Sequence, residues 1–267
     1  RAPARIIESG PAAGVVEAIR LADRIGLEDV ITFDMGGTTA KASLIEHGKP
    51  SLTTEYEVGA GIQLSNRLVK GRGHALKLPV IDIAEVGAGG GSIVRVDPGG
   101  SLRVGPQSAG AKPGPACYRQ GGTDATVTDA NVGLGYINPT SIAGGTVSVN
   151  SEAAKQALDS SAAEHLELET NDAAYGVYAV ANTTMIRAIK SVTTYRGRDP
   201  REFTLMAFGG SGPLHAAEMA RSLGIRQIIV PASPGVFSAL GLLEALPEYG
   251  FSRTMITDPM SEGADKI

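Results

Sequence analysis

The residues best suited to chemistry follow an apolar run near the N-terminus. The run Val30-Ile31-Thr32-Phe33 ends in Asp34, and a carboxylate at the end of a buried strand costs free energy unless it has a cation or donors. Two glycines and two threonines then offer bare backbone N–H groups and hydroxyl donors to an anion. They are Gly36, Gly37, Thr38 and Thr39. The segment predicts a phosphate cradle in which Asp34 orders magnesium, directly or through water.

The spacing of this segment differs from the two common phosphate loops. It is neither the P-loop pattern, which a helix follows, nor the Gly-x-Gly-x-x-Gly pattern of dinucleotide-binding proteins. Here Lys41 opens a second apolar run, so that residues 29–34 and 41–46 are predicted to form a hairpin with a glycine-rich tip. The alternative is a tight structural hairpin in which Asp34 only caps the turn.

A second glycine turn comes much later in the chain. The apolar run 203–208 ends in Gly209-Gly210-Ser211, and a helix is predicted to begin near Pro213. The helix N-terminus would face the turn, where its N–H groups favour an anion. Another apolar run at 225–231 completes a strand-helix-strand unit, which is typical of an α/β fold with a partly parallel sheet. The alternative for this motif is an ordinary strand-to-helix turn.

The remaining sequence surrounds these two turns with helices and a glycine- and proline-rich region. Helices are predicted over 11–26, 151–166 and 171–195, with Asn171-Asp172 as the cap of the last one. Short strands and turns fill about 52–135, including a hairpin around the turn 97–100. We expect one lobe over 1–255 and a polar tail over 256–267.

Composition excludes several classes of protein. The 267 residues carry 24 basic and 28 acidic side chains without a long basic run, which argues against nucleic-acid binding. There is no apolar stretch long enough for a membrane span. The single cysteine, Cys117, excludes an internal disulfide framework. We expect a cytoplasmic protein.

Several longer runs resemble the hydantoinase A/5-oxoprolinase family, which includes N-methylhydantoinase and the beta-type subunit of acetone carboxylase. They include "VITFDMGGTTAKASLI", "IDIAEVGAGGGSI", "GSLRVGPQSAGAKPGPACY", "FGGSGPLHAAEMARSLGI" and "VPASPGVFSALGLL". The family belongs to the actin, hexokinase and Hsp70 type of ATPase. The resemblance implies an α/β fold, an actin-like ATPase (ribonuclease H-like) lobe with a mixed sheet, helices on both faces and a Gly/Pro-rich β insertion.

The resemblance also implies a function. Members use ATP and Mg²⁺ to open cyclic amides such as hydantoin or 5-oxoproline by activating the amide oxygen, or else to carboxylate acetone-like ketones. Asp34 and residues 36–39 would contact phosphate and magnesium, and Gly209, Gly210 and Ser211 would form the adenosine turn. The alternative function is not enzymatic: the chain would be a non-catalytic lobe that binds nucleotide or serves in assembly. The loops "VGAGGGSI" and "AKPGPACY" favour the enzyme, because ATP binding alone does not need them.

Relatives of this kind supply partners for such a lobe. An N-terminal lobe carries a first phosphate hairpin of the same type, and a hydantoinase B-type subunit or domain completes the reaction. Because this chain has one such hairpin and opens without Met, we expect a fragment that lacks the N-terminal lobe and has little turnover alone.

The sequence departs from the family pattern at two places. Lys41 stands where the family often has Asp, and it either reaches a phosphate or faces solvent, which we favour. Ala84-Glu85 replaces a common His-Thr pair, leaving Asp82 and Glu85 as candidate substrate residues.

Other polar residues are weaker candidates. Asp124 and Asp129 could face substrate, although a helix cap and a turn are favoured for them. We expect His215 to be a packed or hydrogen-bonded helix residue, and Cys117 a buried small residue without a base beside it.

Overall fold

A six-stranded mixed sheet forms the centre of the protein in the computed structural model, which describes residues 8–53, 56–58, 74–76 and 80–246. The polar tail predicted over 256–267 lies outside the described residues. Its strands are β1 (Val30–Met35), β2 (Ala40–Glu46), β3 (Lys49–Pro50), β8 (Ile83–Val86), β13 (Thr204–Phe208) and β14 (Ile228–Ile229). They follow the order β14-β13-β1-β2-β3, and β8 also pairs with β2.

Strand direction confirms both of the predicted supersecondary units. β1 and β2 run antiparallel, with Asp34 opposite Lys41, as a hairpin requires. β13 runs parallel to β1 and to β14, since the helix α6 (Gly212–Leu223) crosses over between β13 and β14. The parallel pair places Asp34 beside Phe208, so that β1 and β13 end at the same edge of the sheet.

Helices cover both faces of the sheet because the apolar side chains of its strands point alternately to one face and to the other. On one face, α1 (Ser9–Ile25) and α7 (Phe237–Glu244) pack on Val30, Ile45 and Phe208. The opposite face buries Ile31, Phe33 and Leu205 against α6 and two further helices. Those helices are α2 (Val127–Gly133) and α5 (Thr170–Val192).

The glycine- and proline-rich region adds short strands beside the sheet, and part of it lies outside the described residues. β9 (Ser92–Val96) and β10 (Leu102–Ser108) form the predicted antiparallel hairpin. The other pairs have only two or three residues in each strand. They are β4 (Leu52–Thr53) with β7 (Val80–Ile81), β5 (Tyr56–Val58) with β6 (His74–Leu76), and β11 (Ser141–Ile142) with β12 (Val147–Ser148).

The helix predicted over 151–166 is helical throughout but contains a π-helical turn, and one predicted helix cap needs correction. The helix expected over 151–166 is three consecutive segments: α3 (Ser151–Leu158), a π-helical turn (Asp159–Ala163) and α4 (Glu164–Leu166). The cap predicted at Asn171-Asp172 is wrong, because α5 already includes both residues and has Glu169 as its N-cap. The Thr170 hydroxyl donates instead to Asp159 Oδ1 at 2.5 Å, which ties the start of α5 to the π-helical turn. Within the described residues, every helix is too short or too polar to span a bilayer.

Candidate functional site

The two glycine turns predicted from the sequence meet at one edge of the sheet. β1 leads into the turn 36–39, β13 leads into Gly209-Gly210, and the two strands are parallel neighbours. The Ser211 N–H donates to the Met35 carbonyl at 3.0 Å, which joins the turns directly. The structure therefore brings together Asp34, the hairpin tip and the turn before α6. In parallel α/β sheets this edge is where ligands bind.

The hairpin tip presents bare backbone to open space. The Gly36 N–H donates to the Thr39 carbonyl at 3.1 Å and closes the turn, whereas the Gly37 and Thr38 N–H groups donate to no residue in the described part. A Cβ built on Gly36 or Gly37 would meet nothing within 4 Å. Gly37 and Thr38 are also exposed. Two N–H groups without a described partner, next to glycines with open space around them, fit the anion cradle that the sequence predicts.

The second turn lets the backbone pass close to Asp34. Gly209 has a φ of +79°, and a Cβ there would collide with Asp34 Oδ1 and the Met35 carbonyl. Glycine is therefore needed at 209 for both conformation and space. Gly210 is exposed, a Cβ on it would meet nothing within 4 Å, and its N–H has no partner among the described residues. The space over Gly210 is thus open to a ligand.

Asp34 is half-buried between the two turns. Ser238, in the first turn of α7, donates its hydroxyl to Asp34 Oδ2 at 3.4 Å. Burial raises the pKa of Asp34 above its ordinary value, while the Lys41 charge and the Ser238 hydrogen bond act in the opposite direction. Sequence reasoning missed Ser238 as a neighbour of Asp34, although it lies in the family run "VPASPGVFSALGLL".

A glycine loop, residues 87–91, packs against the back of the hairpin tip. The N–H groups of Gly90 and Gly91 donate to the carbonyls of Gly36 at 3.0 Å and Gly37 at 2.6 Å. A Cβ on Gly89 would lie only 2.5 Å from the Thr38 carbonyl carbon, so the loop can approach this closely only as glycine. The loop thus fixes the carbonyls of Gly36 and Gly37 and packs directly against the backbone of Thr38.

From the sequence we had favoured a solvent-facing side chain for Lys41, and the structure corrects this. Its Nζ lies 2.8 Å from Glu85 Oε1 and donates to Thr39 Oγ1 at 2.8 Å. Glu85 is thereby placed beside the hairpin, on the neighbouring strand β8. Asp82 is buried and forms an ion pair with Arg196. Of these two candidate substrate residues, only Glu85 is ion-paired to a residue of the hairpin.

The structure separates Asp124 from Asp129. Asp129 is fully buried as the third residue of α2 and accepts from the N–H groups of Cys117 at 2.8 Å and Thr126 at 2.8 Å. It forms a capping box in which Thr126, rather than either aspartate, is the N-cap. Asp124 lies exposed in the preceding turn. Asp129 therefore has the structural role of a buried helix-capping acceptor.

His215 and Cys117 occupy buried positions, as expected. His215 Nδ1 is 3.0 Å from Asn182 Oδ1, its Nε2 is 3.2 Å from Asn131 Nδ2, and the ring stacks on Tyr178. Burial lowers the pKa of His215 to about 4, so the ring is neutral at pH 7. Burial likewise raises the pKa of the Cys117 thiol, with Asp129 adding to the effect. Neither group is suited to act as a base or nucleophile in this state.

Among the described residues, Asp34 has no cluster of other potential metal ligands around it. In the described part of the chain, no three His, Cys, Asp or Glu side chains are grouped so that they could hold an ion. Mg²⁺ commonly keeps several waters and is held by one or two carboxylates together with substrate phosphates. One carboxylate beside an open phosphate cradle fits that mode of binding.

Comparison with known proteins decides the family. The family model described as Hydantoinase/oxoprolinase matches residues 1–249. The chain belongs to the hydantoinase/oxoprolinase family. An uncharacterized protein of Methanocaldococcus jannaschii is 49% identical over 96% of this chain and 37% of its own length. Caprolactamase subunit alpha of Pseudomonas jessenii is 36% identical over 88% of this chain and 32% of its own length. This hydantoinase/oxoprolinase chain thus spans between about a fifth and about a third of the length of the curated relatives it matches.

Solved structures agree with this assignment. Nucleotide-free acetone carboxylase, from a study of ATP-dependent acetone carboxylation, matches with a TM-score of 0.75 and 31% identity over 87% of this chain and 31% of that chain. The ATP-dependent caprolactamase of Pseudomonas jessenii matches with a TM-score of 0.71 and 36% identity, again over 87% of this chain and 31% of that chain. The predicted fold class, an α/β ATPase lobe with a mixed sheet, is confirmed.

Proposed function

We propose that this member of the hydantoinase/oxoprolinase family is part of an ATP-dependent hydrolase of cyclic amides of the hydantoin or 5-oxoproline type. The observation that carries the proposal is the edge of the sheet where two glycine turns meet. There the N–H groups of Gly37, Thr38 and Gly210 have no described partner, and a carboxylate stands between the turns. ATP-dependent relatives of this chain act on a cyclic amide or on acetone.

Each residue of the edge has a role in this proposal. The N–H groups of Gly37 and Thr38, with the Thr38 and Thr39 hydroxyls, hold phosphate oxygens. Asp34 holds Mg²⁺, directly or through a water. Gly210, with Gly209 and Ser211, forms the turn on which adenosine packs. Bound ATP and Mg²⁺ would supply the phosphoryl group that activates the amide oxygen and the charge that stabilises it.

This chain contributes mainly position and electrostatics to such a reaction. The tip is held from behind by residues 87–91, so its N–H groups are already oriented before a ligand arrives. We place an N-terminal lobe with the first phosphate hairpin opposite this edge. A hydantoinase B-type subunit is the proposed second partner, and a close relative is itself named as a subunit.

A ketone carboxylase is the second candidate. It is favoured by the match to acetone carboxylase, whose TM-score of 0.75 is as high as that of the amide hydrolase at 0.71. The remaining candidate is a lobe that binds nucleotide without turnover, because a fold of this type does not by itself imply small-molecule chemistry.

One experiment separates these candidates. The protein, with any subunit that co-purifies, is incubated with ATP and Mg²⁺ and with hydantoin, 5-oxoproline or caprolactam, and in parallel with acetone and bicarbonate. Ring opening that depends on ATP and is abolished by Asp34→Asn supports the hydrolase. Carboxylation of acetone alone would replace it with the second candidate. ADP binding without turnover of any substrate, when the N-terminal lobe is also supplied, would favour the non-catalytic lobe.

A further inference from the structure

Three charged residues lie in one row across the sheet beside the hairpin tip. Asp34 on β1 is opposite Lys41 on β2, and Lys41 is opposite Glu85 on β8. The two places where the sequence departs from the family pattern are therefore cross-strand neighbours. Their side chains form an ion pair with Lys41 Nζ 2.8 Å from Glu85 Oε1 and only 18% and 25% of the side chains exposed. Glu85, one departure from the family pattern, is thus the ion-pair partner of Lys41, the other departure.

The ion pair leaves Lys41 with a second contact that points to the tip. Its Nζ donates to Thr39 Oγ1 at 2.8 Å. A hydroxyl that accepts a hydrogen bond from an ammonium group keeps its own O–H for another acceptor. Thr39 is the last residue of the turn, half-buried, next to the unpartnered N–H groups of the tip.

We propose that Lys41, held in place by Glu85, is a positioning residue that orients the Thr39 hydroxyl so that its O–H donates to a phosphate oxygen of a bound nucleotide. This assignment rests on the proposed function, because the acceptor is the phosphate. Lys41 acts through Thr39 and does not itself contact the ligand. Glu85 holds the ammonium group back from the phosphate while neutralising part of its charge.

A double-mutant cycle tests the assignment, with ADP and Mg²⁺ as the probe and calorimetric titration as the readout. Lys41→Met and Thr39→Val each remove one end of the contact at similar volume. Each is expected to weaken ADP binding about tenfold, the value of one charge-assisted hydrogen bond. The double variant is expected to bind no more weakly than the weaker single variant, because both changes remove the same interaction. Additive losses, about a hundredfold in the double variant, would overturn the proposal and indicate that Lys41 contacts the phosphate directly.

Two further measurements distinguish positioning from a structural role. Adenosine, which lacks phosphate, should bind all variants equally well, whereas a distorted site would lose adenosine too. Lys41→Arg keeps a donor and should retain ADP affinity within about threefold, and Glu85→Gln, which keeps the shape, should lose about threefold. Equal losses of ADP and adenosine in these milder variants would refute the assignment.

Glu46→Gln is the matched control. Glu46 also lies on β2 and forms a 2.8 Å ion pair, with Arg198, but at the opposite end of the strand. Its loss should leave ADP affinity unchanged. Absence of ADP binding by the wild-type protein would refute the proposed function itself, and this assignment with it. Wild-type binding that Lys41→Met leaves unchanged would refute only the role of Lys41.

Discussion

Replacement of Gly37 by alanine should separate ligand binding from folding. The position is exposed, its φ lies outside the left-handed region, and the added methyl group would meet nothing within 4 Å. Alanine at such a position raises the free energy of unfolding by about 0.4–1 kcal/mol, because the unfolded chain loses conformational freedom. The same methyl group stands in the space that a phosphate would occupy above the tip. The variant should therefore be slightly more stable and bind nucleotide more weakly.

The expected loss of ADP affinity is at least about tenfold, which corresponds to about 1.4 kcal/mol. Calorimetric titration with ADP and Mg²⁺ measures the affinity, and urea unfolding measures the stability. Gly176→Ala is the control: it lies inside α5, where a Cβ would meet only the Leu102 side chain, at 3.2 Å. It should gain stability and keep its affinity. A Gly37→Ala variant that binds ADP as the wild type does would refute the placement of phosphate over the tip.

Three further predictions concern buried groups away from the tip. Because burial lowers the pKa of His215 to about 4, the unfolded chain binds more protons between pH 6.5 and 4. The contribution of His215 to the free energy of unfolding should be complete above pH 6.5, and roughly 3 kcal/mol of it should be lost as the pH falls to 4. Equal pH slopes of stability in the wild type and in His215→Gln would contradict this. Arg196→Met leaves the Asp82 carboxylate, only 1% exposed, without this cation, and should cost about 3 kcal/mol in urea unfolding; a loss below about 1 kcal/mol would contradict it. The Cys117 thiol should react with a thiol reagent at pH 8 only as fast as the protein opens, whereas labelling at the rate of a free thiol would show that it is accessible.

The hairpin and the strand-helix-strand unit could be predicted because their signals are local. Asp34 and the glycines that follow it end one apolar run, and Gly209-Gly210 ends another. Strand pairing then brings both turns to one edge of the sheet, since β1 and β13 run parallel. The fold class follows from the same patterns and from the resemblance to the family.

What the sequence could not provide are contacts between distant segments. Ser238 reaches Asp34 across 204 residues. The pairing of Lys41 with Glu85 depends on the register between β2 and β8. Because the sequence does not give this register, we had placed Lys41 in solvent. Sequence reasoning also gave Asp124 and Asp129 similar weight, although tertiary contacts bury one in a capping box and leave the other exposed.

The π-helical turn inside the helix predicted over 151–166 has a different cause. The π-helical turn Asp159–Ala163 contains neither glycine nor proline, so the local sequence gives no signal for it. The buried residues Ala162 and Ala163 belong to the main core, and Asp159 accepts the Thr170 hydroxyl at the start of α5. Packing and this side-chain contact decide the local geometry there.

The most direct test of the account is calorimetric titration of the protein and its Asp34→Asn variant with ADP, each with Mg²⁺ and with a chelator. Mg²⁺ should strengthen ADP binding by the wild type, and the variant should lose this dependence while its affinity in chelator is unchanged. Absence of wild-type binding, or equal Mg²⁺ dependence in both proteins, would contradict the assignment of Asp34 and the hairpin tip as a metal and phosphate site.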